Sequence, residues 1–188
     1  MKPRLLAMSA ALALIVPLSV PAASAAPPEE NTKYSYDDTF RDRFCGLRLL
    51  VHEVGGGHFM LFPIEESDGQ AWLGHDNYWF RTVFTNRDNG ESVVISGRGI
   101  FKELTGTQVD GDIWEFTAIE AGQPFVLRDS SGEVILRDRG LLRFRAIYDV
   151  LGDGQPGGEL IEHEVTQSAG PHPGFDGSTC DLLTSLIG

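Results

Sequence analysis

The chain has 188 residues, with 27 acidic and 15 basic side chains and a net charge of −12 at pH 7. That balance repels phosphate backbones and anionic lipid, which argues against nucleic acid and membrane surfaces as partners. It is the balance of a protein kept in solution by its own charge.

The first 25 residues read as a secretory signal peptide. Lys2 and Arg4 give a positive start, and an apolar run extends from Leu5 to Val20, interrupted by Ser9, Pro17 and Ser19. Ala23-Ser24-Ala25 then offers small residues at the spacing a signal peptidase reads, so cleavage is expected after Ala25. There is no twin arginine and no cysteine after the run, which points to the general secretion route rather than a lipid anchor. The run is short and broken by proline, which argues against a retained membrane anchor.

Residues Ala26–Lys33 (APPEENTK) are proline-rich and polar and are expected to be a disordered lead-in. Residues Tyr34–Gly188 have the length of a single domain. Within them, β-rich runs fall at Leu47–Glu53, His58–Phe62, Trp79–Thr85, Ser92–Ser96, Gly99–Leu104, Ile113–Ile119, Phe125–Arg128, Glu133–Arg137, Leu141–Val150 and Glu159–Thr166. Glycine, aspartate and asparagine fill the gaps, which are too short for crossover helices. The pattern predicts an all-β fold, an antiparallel barrel or barrel-like sandwich of about eight to ten strands.

Two hairpins are legible in detail. Asn89-Gly90 can turn the chain between Trp79–Thr85 and Ser92–Ser96. Along Leu141–Val150, the residues Leu142, Phe144, Ala146 and Tyr148 share a face, with Arg143 and Arg145 opposite. Along Glu159–Thr166, Ile161, His163 and Val165 share a face, with Glu162 and Glu164 opposite. Pairing like faces sets arginines against glutamates and fixes the register. At the end of the chain, Gly170–Gly174 stops the last strand and Ser178 is placed to cap a short helix with Asp181 three residues on. Cys180, Leu183 and Ile187 fall on one face of that helix, which is too short to stand alone and must pack on the sheet.

Cys45 and Cys180 are the only cysteines. Outside the cytoplasm they read as one disulfide rather than as a catalytic or redox pair, for no Cys-x-x-Cys is present. A loop this long gains about 4–5 kcal/mol from closure in the chain-entropy model.

The stretch VHEVGGGHF, Val51 to Phe59, resembles a zinc-protease helix at first sight. In such a helix the second histidine comes four residues after the first, where this chain has Gly56. His58 falls on the wrong side of a helix, and three glycines would destabilise it by ~2–3 kcal/mol. The stretch is therefore read as a turn between the first two strands, with His52 and His58 flanking it. No metal site and no cofactor are predicted.

His163 lies between Ile161 and Val165 on its face, as a core histidine bonded to Tyr148 would, or as a polar group lining a cavity. Phe144, Tyr148 and His163 are the candidate cavity lining, and Tyr78 and Trp79 are candidate aromatics for stacking on a ligand. The carboxylate pairs Glu65/Glu66, Asp110/Asp112 and Asp149/Asp153 lie mostly in expected turns. No nucleophile elbow, phosphate loop or complete calcium loop is present.

TNRDNGESVVISGRGIF (Thr85 to Phe101) together with GPHPGFDGSTCDLL (Gly170 to Leu183) resembles a set of small secreted actinobacterial β-rich proteins of unassigned function. These share a signal peptide, a Thr-Asn-x-x-x-Gly-x-Ser hairpin and two cysteines near the ends. The resemblance implies secretion, an all-β body and the disulfide, and carries no catalytic residues. The expectation is a secreted, non-enzymatic binding protein whose partner is a small molecule or an extracellular protein, with a small apolar ligand in a β-barrel cavity as its specific form. The alternative is a secreted enzyme acting on a polysaccharide or small molecule.

Overall fold

A computed structural model describes residues 28–173 and 179–188. The expected signal peptide and the Ser178 cap lie outside the described residues. Seven strands follow one another as β1 (Glu30–Phe44), β2 (Leu47–Pro63), β3 (Trp72–Asn86), β4 (Ser92–Asp110), β5 (Ile113–Arg128), β6 (Val134–Asp149) and β7 (Glu159–Ala169). Each pairs antiparallel with the next, in one sheet of order β1-β2-β3-β4-β5-β6-β7 that does not close on itself. A 3-10 turn (Glu65–Ser67) links β2 to β3, and one helix, α1 (Thr179–Ile187), ends the chain. The fold is all-β and barrel-like, with the short C-terminal helix expected.

The ten β-rich runs become six strands, and β1 is the seventh. Each merger passes through glycine: Gly55, Gly56 and Gly57 in β2, Gly97 in β4, Gly122 in β5 and Gly140 in β6. The glycines of VHEVGGGHF are thus mid-strand, not a turn, which corrects the sequence reading. They form part of a band that crosses the sheet. In register, Tyr34 faces Gly57, Gly57 faces Tyr78, Tyr78 faces Gly99, Gly99 faces Gly122 and Gly122 faces Gly140. One row over, Tyr36 faces Gly55, Gly55 faces Phe80 and Phe80 faces Gly97.

The aromatic rings sit close against the glycines beside them. A Cβ on Gly57 would sit 2.6 Å from the Asn77 carbonyl oxygen and 2.6 Å from the Tyr34 hydroxyl, and one on Gly99 would sit 2.6 Å from the Ala121 carbonyl. Gly122 and Gly140 hold φ of 133° and 132°, where side chains are strained. Register shifts between Ser96 and Arg98 and between Gly122 and Phe125 place bulges in the same band. Glycine and bulges are what bend a sheet, and large rings over glycine restore the packing that glycine lacks.

The bend lets strands distant in sequence face one another, and it divides the inner face in two. On one side Leu49, Val51, Val93, Ile95 and Leu127 form a core that α1 completes with Leu183 and Ile187. The Asn86 side-chain amide donates to the Ile187 carbonyl at 2.6 Å, which holds the C-terminus of α1. Cys45 and Cys180 are disulfide-bonded, with S–S 2.04 Å. Cys45 and Gly46 form the two-residue turn between β1 and β2, both at positive φ, so the covalent tie anchors α1 to a hairpin tip. On the other side of the band Ala71, Trp114, Phe116 and Val150 form a second, smaller core.

Two further differences have physical causes. β1 begins at Glu30, so the last four residues of the expected disordered lead-in are paired with β2. Lys33, Asp37, Arg41 and Arg43 on one face, and Asp38 and Asp42 among the rings on the other, masked it, whereas Tyr34, Tyr36, Phe40 and Phe44 share a face as in a strand. The β6–β7 hairpin pairs Arg145 with Glu164, and Arg145 also bonds Glu162 at 2.9 Å and Glu115 at 2.7 Å, as expected, whereas a register shift sets Arg143 opposite Gln167 rather than a glutamate. β7 is an edge strand, and Ile161 and Val165 are exposed rather than packed in a core. His163 is exposed with them.

Candidate functional site

The inner face beyond the glycine band, opposite the end sealed by α1, encloses a cavity of about 450 Å³. It is lined by Phe59 and Leu61 from β2, Trp72 from β3, Phe101 and Glu103 from β4, Phe116 from β5 and Tyr148 from β6, among others. Glu30 of β1 and Pro156 and Gly157 of the β6–β7 loop border it as well. A second cavity of about 200 Å³ shares Phe101, Glu103, Phe116 and Tyr148, and adds Ala118, Glu120, Phe144, Ala146 and His163. The two spaces therefore adjoin along four common residues.

Alternation explains why these side chains point inward. In β4, Phe101 and Glu103 are two apart, and Phe101 faces Glu120 while Glu103 faces Ala118 on β5. On β6, Phe144, Ala146 and Tyr148 continue the same face. Phe116 and Tyr148 meet edge to face, with ring centroids 5.9 Å apart. Such a pair is rigid, and its geometry suits the quadrupoles of both rings.

Polar groups are few and placed. Glu103 accepts the Gly74 N–H through Oε2 at 2.5 Å. Burial holds the Glu103 carboxyl above the usual carboxylate range, and the Gly74 bond only partly opposes this. The Tyr78 hydroxyl donates to Glu120, and burial and that bond push the Tyr78 phenol well up. The Tyr34 hydroxyl donates to Asp76 at 2.7 Å, and burial followed by this bond raises Tyr34 to about 12. Burial, then the charge of Glu103, raises Tyr148. Tyr34 and Tyr78 belong to the band itself, and Glu103 and Tyr148 line the cavities beyond it.

The residues singled out in the sequence fall in different places. Phe144, Tyr148 and His163 all line the smaller cavity. His163 does so from the exposed edge strand, tilted against Phe144 with centroids 5.0 Å apart, and it makes no bond to Tyr148. A core histidine bonded to Tyr148 is therefore corrected to an exposed one at a cavity margin. Tyr78 and Trp79 point to opposite faces: Tyr78 lies inside, over Gly99, and Trp79 is half exposed outside. Both border a shallow outer groove with Arg98 and Arg139.

His52 and His58 lie on one face of β2, six residues apart in an extended strand, which separates them by roughly 20 Å. Each bonds β1 instead: His52 to Asp37 at 2.9 Å and His58 to Asn31 at 2.5 Å. They cannot share a metal, and no cluster of three metal-binding side chains occurs among the described residues. Glu65 and Glu66 sit in the 3-10 turn, and Asp112 and Asp153 in hairpin loops, apart from the cavities.

Glu103, Glu120, Trp72 and Phe59 went unrecognised in the sequence. Phe101-x-Glu103 and Glu120, on neighbouring strands, carry the only usable signal, a carboxylate in step with an apolar face. The cavity draws on six strands, and no local pattern reports that.

No family model, curated protein or solved structure matches the chain.

Proposed function

We propose that the chain is a secreted binding protein that holds a small, largely apolar molecule in the cavity at its open end. The aromatic-walled space of about 450 Å³ carries this reading, being of the size that takes a small organic ligand. Its walls are rings and aliphatic side chains, with a few fixed polar groups to orient what enters. Secretion is supported by the N-terminal leader pattern and agrees with the single disulfide, which persists in an oxidising compartment.

The uncharged dye N-phenylnaphthylamine tests the reading, since its fluorescence rises in apolar surroundings. It should brighten on saturable binding, and Leu61→Trp, which fills the larger cavity, should weaken binding at least about tenfold with an unchanged circular dichroism spectrum. A folded wild-type protein that leaves the dye dark overturns the proposal.

A catalytic reading has one observation in its favour. Glu103 and Glu120 line the same small cavity, and burial raises the Glu103 carboxyl above its ordinary value, the direction a general acid needs. Binding is preferred because Glu120 is occupied by the Tyr78 hydroxyl and the histidine at hand, His163, lies at the exposed margin.

A further inference from the structure

We infer that the ligand is an organic cation, an amine carrying a hydrocarbon or aromatic body, whose ammonium group sits against Glu103. This rests on the cavity reading above and names the chemical class the cavity takes.

Three observations converge on it. The first is the carboxylate itself. Glu103 projects into an aromatic space with one protein donor, the Gly74 N–H, and it takes part in no ion pair among the described residues. A carboxylate so placed is costly until a counter-charge arrives, and an ordinary apolar residue would fill the position more stably.

The second is the surrounding wall. Phe59, Trp72, Phe101, Phe116 and Tyr148 all line the cavity that Glu103 enters. Ring faces attract cations, and rings grouped about a carboxylate are the setting in which ammonium groups are recognised. The third is the sign of the remaining charge. The other ionisable groups lining the two cavities are Glu30, Glu120, Tyr148 and His163, with no lysine or arginine among the described lining residues. A carboxylate ligand would meet like charge at Glu103, Glu30 and Glu120, and a neutral ligand would leave Glu103 as it is. A metal ion is disfavoured, since no group of three histidine, cysteine, aspartate or glutamate side chains that could hold one occurs among the described residues.

The test is calorimetric titration with three probes of one chain length: octylamine, octanol and octanoate. Octylamine should bind at least about tenfold more tightly than octanol, as expected for a hydrogen bond to a charged group, and octanoate more weakly than either. Glu103→Gln keeps an oxygen for the Gly74 N–H and should bring octylamine down to the affinity of octanol. Glu133→Gln, an exposed change of equal charge in the β5–β6 loop, should leave octylamine unchanged.

Equal binding of octanol and octylamine would overturn the assignment of a cation while leaving the cavity reading intact. An equal loss in Glu133→Gln would also overturn it, by tracing the preference to net charge. If none of the three probes binds and N-phenylnaphthylamine stays dark, both readings fail together.

Discussion

A glycine beside an aromatic ring is the smallest unit on which this fold depends. Gly97 lies under the Phe80 ring and close to the Pro124 carbonyl, so a methyl group there must displace backbone or ring. Gly97→Ala should cost about 1–3 kcal/mol, as overpacking does. Thermal unfolding would then fall by roughly 2–12 °C for a domain of this size. An unchanged midpoint would mean that the rings are not held against the glycines.

The rings also carry a titration signature. The Tyr34 phenol is raised to about 12 by burial and by its bond to Asp76. A group whose folded value lies above its ordinary one stabilises the fold fully below that ordinary value, near 10, and loses this contribution as pH rises through the folded value. Stability should therefore decline between about pH 10 and 12. A phenolate absorbance step at about pH 12 should vanish in Tyr34→Phe, and its persistence would assign it to another tyrosine.

At the scale of elements, α1 is a plug. Nine residues of helix are not stable in water alone, so its order comes from the disulfide, from Asn86 and from Leu183 and Ile187 within the core. Leu183 is fully buried, and Leu183→Ala should cost about 2–5 kcal/mol, read by denaturant titration. The alternation of apolar and charged residues made most strands legible in the sequence, and the spacing of Cys180, Leu183 and Ile187 made the helix legible.

Strand ends were not legible, for a reason these elements make plain. Glycine inside a strand and glycine in a turn look alike until the neighbouring strand is known. Gly55–Gly57 are mid-strand only because Tyr34, Tyr36, Tyr78 and Phe80 come from β1 and β3 to cover them. The cavity was legible only in part for the same reason. Phe144, Tyr148 and His163 are reported by the β6–β7 pattern, whereas Glu103 gains its meaning from Phe59, Trp72 and Phe116 on other strands.

At the scale of the molecule, the glycine band separates a sealed end from an open one. The sealed end has the disulfide, the helix and the larger hydrophobic cluster. The open end has the cavities, the smaller cluster and a β6–β7 loop rich in glycine at positive φ. The sheet also leaves two edges, β1 and β7, both lined with charged residues, which discourages pairing with other chains.

This partition has a consequence for descent. The larger core, the disulfide and the helix lie apart from the cavity, so substitutions at the half-buried Phe59, Phe101 and Glu103 leave them untouched. Under the binding role proposed above, lineages carrying this scaffold can exchange the cavity walls, and with them the ligand, while the plug and the glycine band stay fixed. Architecture is then the slow-changing trait under that role, and relatives would be recognised by their glycines and their two cysteines before their cavity residues.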